Sequence, residues 1–482
     1  MTVQPHDHSP LSRALSSGPD VVETPRMTVI GTGYLGATHA ICMAVLGFEV
    51  LGVDVDARKI EALTNGDVPF FEPGLKEKLD EALASGRLRF TQDFQEAADF
   101  GDVHFICVGT PQSKESGAAD LTYVDLAFAE LASRMTRKAL IVGKSTVPIG
   151  TAERLTQLVR DVAQPGVEIE VAWNPEFLRE GYAVQDTLHP DRLVFGVPSE
   201  WARQQLTAAF RPILDAGTPL IVADLKTAEL VKVAANSFLA TKISYINAMA
   251  EVCEATGADV NLLASALSYD TRIGGRFLKP GLGFGGGCLP KDIRAFTYRA
   301  EELGVGQAVA FLREVDAINN RRRRRTVDLV REMAGGSLQG VRVAALGAAF
   351  KPNSDDIRDA PALDVAQMMH EEGAEVVVYD PEALDNARKA YPQLTFEDSM
   401  GTALRGANVV VLLTEWEKFR KADPDLLGAL VADKRMVDGR HALDADDYRA
   451  KGWEYRALGR PAHSRTVTLA SDVSDELQLQ SA

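Results

Sequence analysis

The chain has 482 residues, 46% hydrophobic and 25% charged, which excludes global disorder and fibrous repeats and predicts about three domains. The net charge of −16, from 52 basic and 68 acidic residues, argues against a general nucleic-acid or anionic-membrane binder. The four cysteines form no CxxC pair and the eight histidines form no metal motif, so we expect a reducing, cytoplasmic location and no bound metal.

The two ends of the chain differ in composition from the rest. Residues 1–26 are rich in Ser, Pro and His and lack the apolar segment of a signal peptide, which predicts a flexible extension. The polar stretch over residues 463–482 predicts a flexible tail. No apolar run approaches the roughly 20 residues that span a bilayer, so we expect no membrane partner.

Apolar strands alternate with helical segments from residue 27 onward. The strand at 27–31 is followed by a helical pattern at 34–46 and by a second strand that ends at Asp54. This alternation predicts βαβ units and a mainly parallel sheet. Further strand candidates lie at 103–108, 139–143, 169–172, 193–197, 341–347, 373–380, 409–413 and 435–438.

A long helix is predicted over residues 224–256, which contain neither Gly nor Pro. Asp224 is a candidate N-cap, and Gly257 is a candidate stop. Because this length exceeds that of a typical globular helix, we expect a spacer or a subunit-contact helix. The five arginines at 321–325 follow in a helical stretch of an acidic protein, which favours a solvated helix face or linker over a nucleic-acid site.

The strand–helix–strand pattern restarts after this helix. The pattern G-x-E-V-x-x-x-D occurs at 47–54 and again at 373–380, which predicts a second Rossmann-like unit. The predicted fold class is therefore α/β, with two Rossmann-like doubly wound domains joined by the long central helix. The second unit has no GxGxxG, so we expect no second NAD there, and Lys351 and Arg358 are available to neutralise a nucleotide phosphate pair.

The sequence GTGYLG at residues 31–36 lies between a predicted strand and a predicted helix. A lone GxGxxG is weak, but with Asp54 at the end of the next strand it completes the dinucleotide fingerprint. Gly31 permits the tight turn, Gly33 lets a pyrophosphate approach the backbone, and Gly36 allows close helix–strand packing. Asp54 is expected to bind the ribose hydroxyls, which favours NAD over NADP unless Lys59 turns toward a phosphate. An ordinary βα turn is the alternative.

The sequence GGGCLPKD at residues 285–292 contains the most conspicuous cysteine. Its glycine-rich flanks expose the Cys288 thiol and let a substrate approach. Lys291 and the following helix start are expected to lower the thiol pKa from about 8.5, which favours a nucleophile over a small core cysteine. The cysteines in apolar patterns, predicted to be core residues, are Cys42, Cys107 and Cys253.

Polar residues follow several predicted strands. Ligands of doubly wound sheets bind beyond the carboxyl ends of the strands, which places Thr146, Glu176 and Glu180 in the right region, with turn capping as the alternative. Lys232 and Asn236 lie four apart on the long helix and share a face, although a lysine on a helix is usually only solvated.

Motifs along most of the chain resemble one family. GxGYLG, VGTP, STVPIGT, NPEFLREG, VKVAANSFLATKISYINAMAE, RIGGRFLKPGLGFGGGCLPKD, AFKPNSDDIRD and DGRHALD occur in the order typical of the UDP-glucose/GDP-mannose dehydrogenase family. The resemblance covers residues 27–445, and RIGGRFLKPGLGFGGGC is more similar to the UDP-glucose branch. GGGC departs from the GGSC of many relatives, which removes a hydroxyl but preserves close approach.

This resemblance implies a domain organisation. An NAD-binding Rossmann domain is expected over 27–222, a central helical domain with the catalytic cysteine loop over 223–326, and a UDP-sugar-binding Rossmann-like domain over 327–462. A homodimer or higher homo-oligomer is expected around the long helix, with Arg272 reaching the neighbouring subunit's substrate.

The resemblance also implies site residues. The catalytic positions are Cys288, Lys232, Asp292, Asn236, Thr146 and Glu176. The cofactor-binding positions are Gly31, Gly33, Tyr34, Leu35, Gly36, Asp54, Lys59, Thr110, Thr146, Glu180, Lys291 and Arg358. The substrate-binding positions are Glu176, Phe177, Leu178, Lys232, Asn236, Arg272, Phe277, Lys279, Gly285, Lys351 and Arg440.

The implied reaction is the NAD-dependent, four-electron oxidation of UDP-glucose at C6 to UDP-glucuronate. An aldehyde cannot lose a hydride to become an acid until a nucleophile adds to it, so Cys288 would carry a thiohemiacetal and then a thioester. The same chemistry on GDP-mannose or a UDP-N-acetylhexosamine is the first alternative. A non-catalytic NAD-sensing protein and a two-electron hydroxyacid dehydrogenase are the others, and the second of these has no use for the thiol.

Overall fold

Two sheets organise the computed structural model, which describes residues 24–113 and 116–461. The predicted N-terminal extension, except for residues 24–26, and the predicted tail lie outside the described residues. The strands are β1 Met27–Ile30, β2 Val50–Val53, β3 Leu88–Thr91, β4 Val103–Ile106, β5 Ala139–Gly143, β6 Ile169–Trp173, β7 Leu193–Gly196, β8 Leu220–Ala223, β9 Arg342–Leu346, β10 Glu375–Tyr379, β11 Thr395–Phe396, β12 Val409–Leu412, β13 Arg435–Asp438 and β14 Glu454–Ala457.

Helices cover both faces of the sheets and fill the region between them. They are α1 Tyr34–Val45, α2 Ala57–Thr64, α3 Leu75–Ala84, α4 Phe94–Phe100, α5 Thr122–Arg134, α6 Thr151–Val162, α7 Ala183–Leu188, α8 Glu200–Ala209, α9 Arg211–Asp215, α10 Leu225–Thr256, α11 Val260–Ser268, α12 Leu289–Glu302, α13 Phe311–Met333, α14 Pro361–Glu371, α15 Leu384–Ala390, α16 Met400–Leu404, α17 Glu417–Arg420, α18 Pro424–Gly428 and α19 Ala445–Ala450, with a 3-10 turn at Gly306–Val309.

The strand orders of the two sheets follow one plan. The first sheet runs β3-β2-β1-β4-β5-β6-β7-β8, and the second runs β11-β10-β9-β12-β13-β14. Neighbouring strands are parallel except β6 and β7, which pair antiparallel at Trp173 and Gly196. In each sheet the order reverses beside the first strand of the unit, so both are doubly wound. The predicted fold class is confirmed.

The central strands are buried from end to end. Every residue of β1, β2, β4 and β5 is buried, which explains why these strands are continuous apolar runs rather than alternating patterns. Met27 lies opposite Val50 on one side and Val103 on the other, so the carboxyl ends of β1, β2 and β4 are level. This level edge is where the glycine loop and Asp54 emerge.

The long helix α10 joins the two halves. The Asp224 carboxylate accepts a hydrogen bond from the Thr227 backbone N–H, and Gly257 ends the helix with φ of +78°, as predicted. Near its start, α10 lies so close to β7 that a Cβ on Gly196 would be 2.6 Å from Ala228. At its other end, Gly459 donates a backbone hydrogen bond to the Glu254 carboxylate. Within the described ranges, neither α10 nor any other helix combines the length and apolar composition needed to cross a membrane.

The arginine run lies in α13, which passes the predicted domain boundary at residue 326 without a break. The prediction of a solvated face is wrong for Arg322 and Arg323, which are 0% and 4% exposed. Arg322 pairs with Glu254 of α10 at 3.2 Å, and Arg323 pairs with Asp359 at 3.3 Å. These carboxylates compensate the buried guanidinium groups, so the run connects the long helix to the loop before α14 in the second domain.

The second unit uses its strand-end acid differently from the first. Asp380 follows β10 and is fully buried. Its Oδ2 accepts hydrogen bonds from the backbone N–H groups of Ala348 and Ala349 and from the Trp416 indole at 3.1 Å. Asp380 is thus closed to a ribose, whereas Asp54 at the same place in the first unit keeps 7% of its surface exposed.

Candidate active site

The glycine loop connects β1 to α1 at the carboxyl edge of the first sheet. Gly31 has φ of +91°, which favours glycine. A Cβ on Gly36 would lie 1.8 Å from the carbonyl oxygen of Gly31, whereas a Cβ on Gly33 would meet no atom within 4 Å. No side chain caps the start of α1. The loop therefore leaves free N–H groups and open space above Gly33, which fit the pyrophosphate of a dinucleotide.

Because Gly33 faces open space and Gly36 faces backbone, alanine at the two positions is expected to have opposite effects on cofactor binding and on stability. We expect Gly33→Ala to keep the melting temperature and to weaken NADH binding by about tenfold or more, since the methyl group fills only the ligand space. Gly36→Ala should instead destabilise the domain by about 1–3 kcal/mol through overpacking. Thermal unfolding and NADH fluorescence titration measure the two effects. Equal destabilisation by both variants would contradict the assignment of Gly33 to the cofactor.

Asp54 and Lys59 form an ion pair beside the glycine loop. Asp54 Oδ2 accepts hydrogen bonds from the Thr32 backbone N–H at 2.8 Å and from its hydroxyl at 3.2 Å. Lys59 Nζ lies 3.5 Å from the same oxygen. Lys59 is therefore directed to the carboxylate, and a 2′-phosphate placed there would meet a negative charge.

Cofactor preference should follow Asp54. We expect Asp54→Ala to weaken NAD binding by about 1.5–3 kcal/mol, the usual range for a hydrogen bond to a charged group, and to relax the rejection of NADP. Asp56→Ala, which changes a neighbouring acid that pairs with Arg58, is the matched control and should leave the preference unchanged. Equal wild-type kcat/KM with NAD and NADP would contradict the ribose-binding role.

Buried asparagines on two helices hold the loop before the candidate nucleophile. Asn247 of α10 accepts a hydrogen bond from the Gly281 N–H at 2.9 Å. Asn319 of α13 accepts from the Phe284 N–H at 2.8 Å and donates to its carbonyl oxygen at 2.9 Å. Side-chain amides thus form hydrogen bonds with the backbone of residues 281–287, as a neighbouring strand would, although this loop belongs to no sheet.

The second domain holds the same loop from the opposite side. Arg440 donates to the carbonyl oxygens of Gly283 at 3.0 Å and Phe350 at 3.1 Å. A Cβ on Gly285 would lie 2.3 Å from the carbonyl oxygen of Asp359. Gly285 is therefore needed for close approach of the second domain to the loop.

Cys288 is the N-cap of α12, and its side chain is reachable from solvent. The expected lowering of its pKa by Lys291 is wrong. Crowding by surrounding protein atoms raises the pKa of the thiol to about 12, Lys232 opposes this shift, and Glu176 and Asp292 add to it. Lys232 is therefore the cation that favours the thiolate most, and three carboxylates, those of Glu176, Asp292 and Glu180, work against it. The other three cysteines are buried, as predicted.

Five side chains from α10, α12 and the segment after β6 meet around the thiol. Lys232 Nζ lies 2.9 Å from Glu176 Oε1, and Asn236 Nδ2 donates to Asp292 Oδ2 at 2.6 Å. Lys291 Nζ lies 2.8 Å from the other oxygen of Asp292. Burial opposes protonation of Lys232, but Glu176, Cys288 and Asp292 together raise its pKa above the usual value. Lys232 is thus a buried ammonium group beside the candidate nucleophile.

The predicted cofactor-side residues lie next to this cluster. Thr110 Oγ1 donates to the Thr146 carbonyl oxygen at 2.9 Å and lies 3.4 Å from Lys291 Nζ. Arg358 Nη2 lies 3.3 Å from Glu180 Oε1. Burial raises the pKa of Glu180 to about 7, and Arg358 opposes the shift. Residues from both domains therefore meet at one cleft.

The segment after β6 presents Phe177 and Leu178. The Phe177 ring centroid lies 5.6 Å from Lys232 Nζ and 3.9 Å from the Arg192 guanidinium carbon. The Leu178 backbone N–H donates to Glu176 Oε2 at 2.8 Å. Glu176 thus caps a turn with one oxygen and binds the buried lysine with the other, so the turn-capping role is present and the ligand-contact role stays a prediction.

The structure does not bring every predicted substrate residue to the cluster. Lys351 does lie near the cluster. Burial lowers the pKa of its ammonium group, and Cys288 is among the neighbouring groups that oppose this shift. Arg272 is 87% exposed in its side chain and pairs with a carboxylate two residues away. Phe277 and Lys279 are also exposed. These last three residues lie on the surface of the single chain.

Sequence patterns did not single out three buried charged residues near the site. Glu72 accepts a hydrogen bond from the hydroxyl of Tyr34, whose neighbour Leu35 packs in the first core. Glu229 accepts from two backbone N–H groups at the start of α6, at 2.6 and 2.7 Å. Lys144 Nζ donates a hydrogen bond to Asn174 Oδ1 at 2.8 Å. For Glu72 and Lys144, a single charge within an apolar stretch was the only available signal, and Glu229 lies between Lys226 and Lys232 with no such signal.

Comparisons with known proteins agree with this arrangement. Residues 25–214 match the NAD binding domain of the UDP-glucose/GDP-mannose dehydrogenase family, residues 226–321 its central domain, and residues 344–445 its UDP binding domain. The UDP-glucose 6-dehydrogenase of Rhizobium meliloti (strain 1021) is 40% identical over 438 residues, which are 90% of this chain and 100% of that protein.

Solved structures give the same picture. A UDP-glucose dehydrogenase from the hyperthermophilic archaeon Pyrobaculum islandicum is 37% identical with a TM-score of 0.84, over 92% of this chain and 100% of that one. A UDP-D-ManNAc dehydrogenase from Pyrococcus horikoshii is 28% identical with a TM-score of 0.79, over 90% of this chain and 99% of that one. The prediction that NAD is the cofactor is confirmed by the match to the NAD binding domain. With all three domains present in order, the chain belongs to the UDP-glucose/GDP-mannose dehydrogenase family.

Proposed function

We propose that the protein oxidises UDP-glucose at C6 to UDP-glucuronate in two NAD-dependent steps. One observation carries the proposal: a reachable thiol, Cys288, lies beside the buried Lys232 ammonium group and within the electrostatic reach of Asp292. A two-electron alcohol dehydrogenase needs no such thiol, whereas oxidation of an aldehyde to an acid requires a nucleophile.

The chain's own residues account for the first oxidation. Bound NAD would supply the hydride acceptor, held by the open glycine loop and Asp54. As the carbon–hydrogen bond breaks, the C6 hydroxyl proton passes to the Asp292 carboxylate, and negative charge develops on O6 before the aldehyde forms. Lys232 stabilises that charge as a fixed ammonium group, which its Glu176 partner keeps in place.

Cys288 makes the second oxidation possible. Its sulfur adds to the aldehyde carbon and forms a thiohemiacetal, whose oxygen Lys232 and Asn236 stabilise. The adduct then loses the remaining hydride from C6, which a second NAD would accept, together with its hydroxyl proton, and becomes a thioester. Asp292 accepts one proton from an attacking water, the carbon–sulfur bond breaks, and the second water proton passes to the leaving sulfur, which regenerates the Cys288 thiol and releases the carboxylate product. Thr146 and Glu176 complete the proton-transfer network in this proposal.

The choice of sugar rests on similarity. The relative at 40% identity is named a UDP-glucose 6-dehydrogenase, whereas the UDP-D-ManNAc dehydrogenase is 28% identical. A panel of UDP-glucose, GDP-mannose and UDP-N-acetylhexosamines with NAD, read by NADH absorbance and product mass, tests the proposal. We expect NADH and a uronate product with UDP-glucose. Turnover of another sugar alone would transfer the proposal to that substrate, and no turnover would favour an NAD-sensing role.

We also propose a homodimer built around α10. Phe238, Tyr245 and Val252 recur every seven residues on this helix and are 66%, 51% and 53% exposed. The neighbouring surface adds Tyr269 and Ile273, which are also exposed. Contiguous apolar area of this kind on a folded chain marks an interaction surface. A second copy placed here would bring exposed Arg272 toward its partner's substrate.

The dimer predicts a specific response to charge. We expect Phe238→Glu combined with Tyr245→Glu to give monomers in light scattering and to lower kcat/KM, because Arg272 then lacks a partner site. Leu426→Glu, which changes an equally exposed apolar residue far along the chain, is the control and should remain dimeric. A stable wild-type monomer with full activity would refute the dimer.

A cytoplasmic location is the last part of this proposal. All four cysteines are free, including the reachable Cys288. A thiol nucleophile persists in a reducing compartment, where disulfides are rare. Fractionation of the native host with thiol-state labelling tests this, and a disulfide-linked Cys288 in the isolated protein would contradict it.

A further inference from the structure

Glu72 joins two segments of the first domain that carry different parts of the site. It lies in the turn before α3, and only 6% of its surface is exposed. Its Oε1 accepts a hydrogen bond from the Ala183 N–H at 2.7 Å, and its Oε2 accepts one from the Gly181 N–H at 2.6 Å. The Tyr34 hydroxyl donates to the same Oε2. Both oxygens of one buried carboxylate are therefore used, by donors from two segments.

Each of the two segments has its own task in the proposed reaction. Tyr34 belongs to the glycine loop, and its ring packs on Phe70, two residues before Glu72, with centroids 4.9 Å apart. Gly181 directly follows Glu180, which faces Arg358 of the second domain. The Gly181 N–H also lies 3.1 Å from the Tyr34 hydroxyl. The cofactor loop and the segment of Glu180 thus meet at Glu72.

The second domain also contacts this point. Gly181 has φ of +80°, and a Cβ there would lie 2.8 Å from the carbonyl oxygen of Asn353. Ser354 Oγ lies 3.4 Å from Glu180 Oε2. A shift of the Gly181 backbone would therefore move Glu180 relative to both the cofactor loop and the second domain.

We propose that Glu72 is a positioning residue, which fixes the Glu176–Glu180 segment to the glycine loop and sets the place of Glu180 at the cofactor. The proposal rests on the proposed function, since it takes Glu180 to act on the cofactor side. Simple capping of α7 does not explain the geometry, because it would use the Ala183 N–H and leave the Tyr34 hydroxyl without a role.

Substitution by glutamine tests the contact with little change in volume. The side-chain amide nitrogen that Glu72→Gln introduces cannot accept a hydrogen bond, so either the Gly181 or the Ala183 N–H loses its partner. We expect NADH to bind about tenfold more weakly and kcat to fall by a similar factor, with the folded state retained. Glu77→Gln, the same change at an exposed position on α3, is the matched control and should leave both values unchanged.

A double-mutant cycle shows whether Glu72 acts through Glu180. NADH affinity is measured by fluorescence for Glu72→Gln, Glu180→Gln and their combination. We expect the double variant to bind NADH about as weakly as the weaker single variant. In combination with Asp54→Ala, which acts on the ribose, the effects of Glu72→Gln should instead multiply. Multiplying effects in the Glu180 pair would overturn the proposal, as would a lowered melting temperature with unchanged NADH affinity and kcat.

Two further arms keep the test decisive. If Glu72→Gln does not fold, Tyr34→Phe removes one of the three donors and keeps the ring on Phe70. We expect it to weaken NADH binding about two- to fivefold without adding to Glu180→Gln, and additive effects would overturn the proposal. The NADH cycle needs no sugar substrate, so a wild-type enzyme inactive on UDP-glucose would overturn the proposed function while the role of Glu72 is still decided.

Discussion

Replacing Cys288 with alanine is expected to abolish net formation of UDP-glucuronate. Wild-type enzyme should yield two NADH for each UDP-glucose consumed, because the thiol carries the intermediate from which the second hydride leaves. The variant can still oxidise the alcohol, but that step is reversible and uphill without the thioester. Net NADH formation should therefore fall on the order of 10⁴-fold or more, the scale for loss of an enzymatic nucleophile.

The reverse of the first step separates chemistry from folding. Cys288→Ala should reduce a supplied UDP-6-aldehyde with NADH, since that reaction needs hydride transfer but no nucleophile. Cys107→Ala is the matched control, because Cys107 is a buried core cysteine at the end of β4, and it should keep the stoichiometry of two. One NADH per product in the wild type, or full turnover by Cys288→Ala, would show that the thiol is structural.

The elements predicted well are those whose cause is local. The helix over residues 224–256 was predicted almost to its ends, because Asp224 and Gly257 act on the residues beside them. The buried strands and the glycine loop were also predictable, since a parallel sheet covered on both faces needs continuous apolar strands. The grouping of Cys288 with Lys232 came from the family resemblance, because 56 residues separate them and no periodicity connects them.

The features missed have causes far away in the chain. Nothing near Arg322 or Arg323 shows that Glu254 and Asp359 will compensate them, so a run of five arginines was expected to be solvated. The predicted lowering of the Cys288 pKa was wrong for the same reason. Lys291 is close in sequence, but its ammonium group binds Asp292, and the cation that lowers the thiol pKa most, Lys232, comes from α10.

The glycine loop is a part of the site whose roles one motif does predict. The roles expected for Gly33 and Gly36 fit the packing, in which a Cβ on Gly36 would lie 1.8 Å from a carbonyl oxygen and a Cβ on Gly33 would meet no atom within 4 Å. The second sheet repeats the strand order of the first, yet Trp416 and two backbone amides take the place of a ligand at Asp380. The two domains thus share a strand order but differ in what their strand-end carboxylate can bind, because of a few contacts between elements that are distant in sequence.

Removing Lys232 is expected to slow both oxidations, since negative charge develops on O6 in each. Losing one such stabiliser typically costs about 3–4 kcal/mol, or a factor of several hundred in kcat. Lys226→Ala is the matched control on the same helix, because its pair with Glu153 is more than half exposed and should contribute little. Steady-state rates with UDP-glucose and with UDP-6-aldehyde as substrates measure the two oxidations separately.

The ion pair complicates the single substitution and also supplies its control. Lys232→Ala leaves the Glu176 carboxylate, whose side chain is 12% exposed, without its cation, which is expected to destabilise the protein by about 3–5 kcal/mol. Adding Glu176→Gln removes that unpaired charge, so the double variant should regain most of the melting temperature. It should not regain kcat, because no ammonium group faces O6. Recovery of activity together with stability would show that Lys232 serves only to neutralise Glu176.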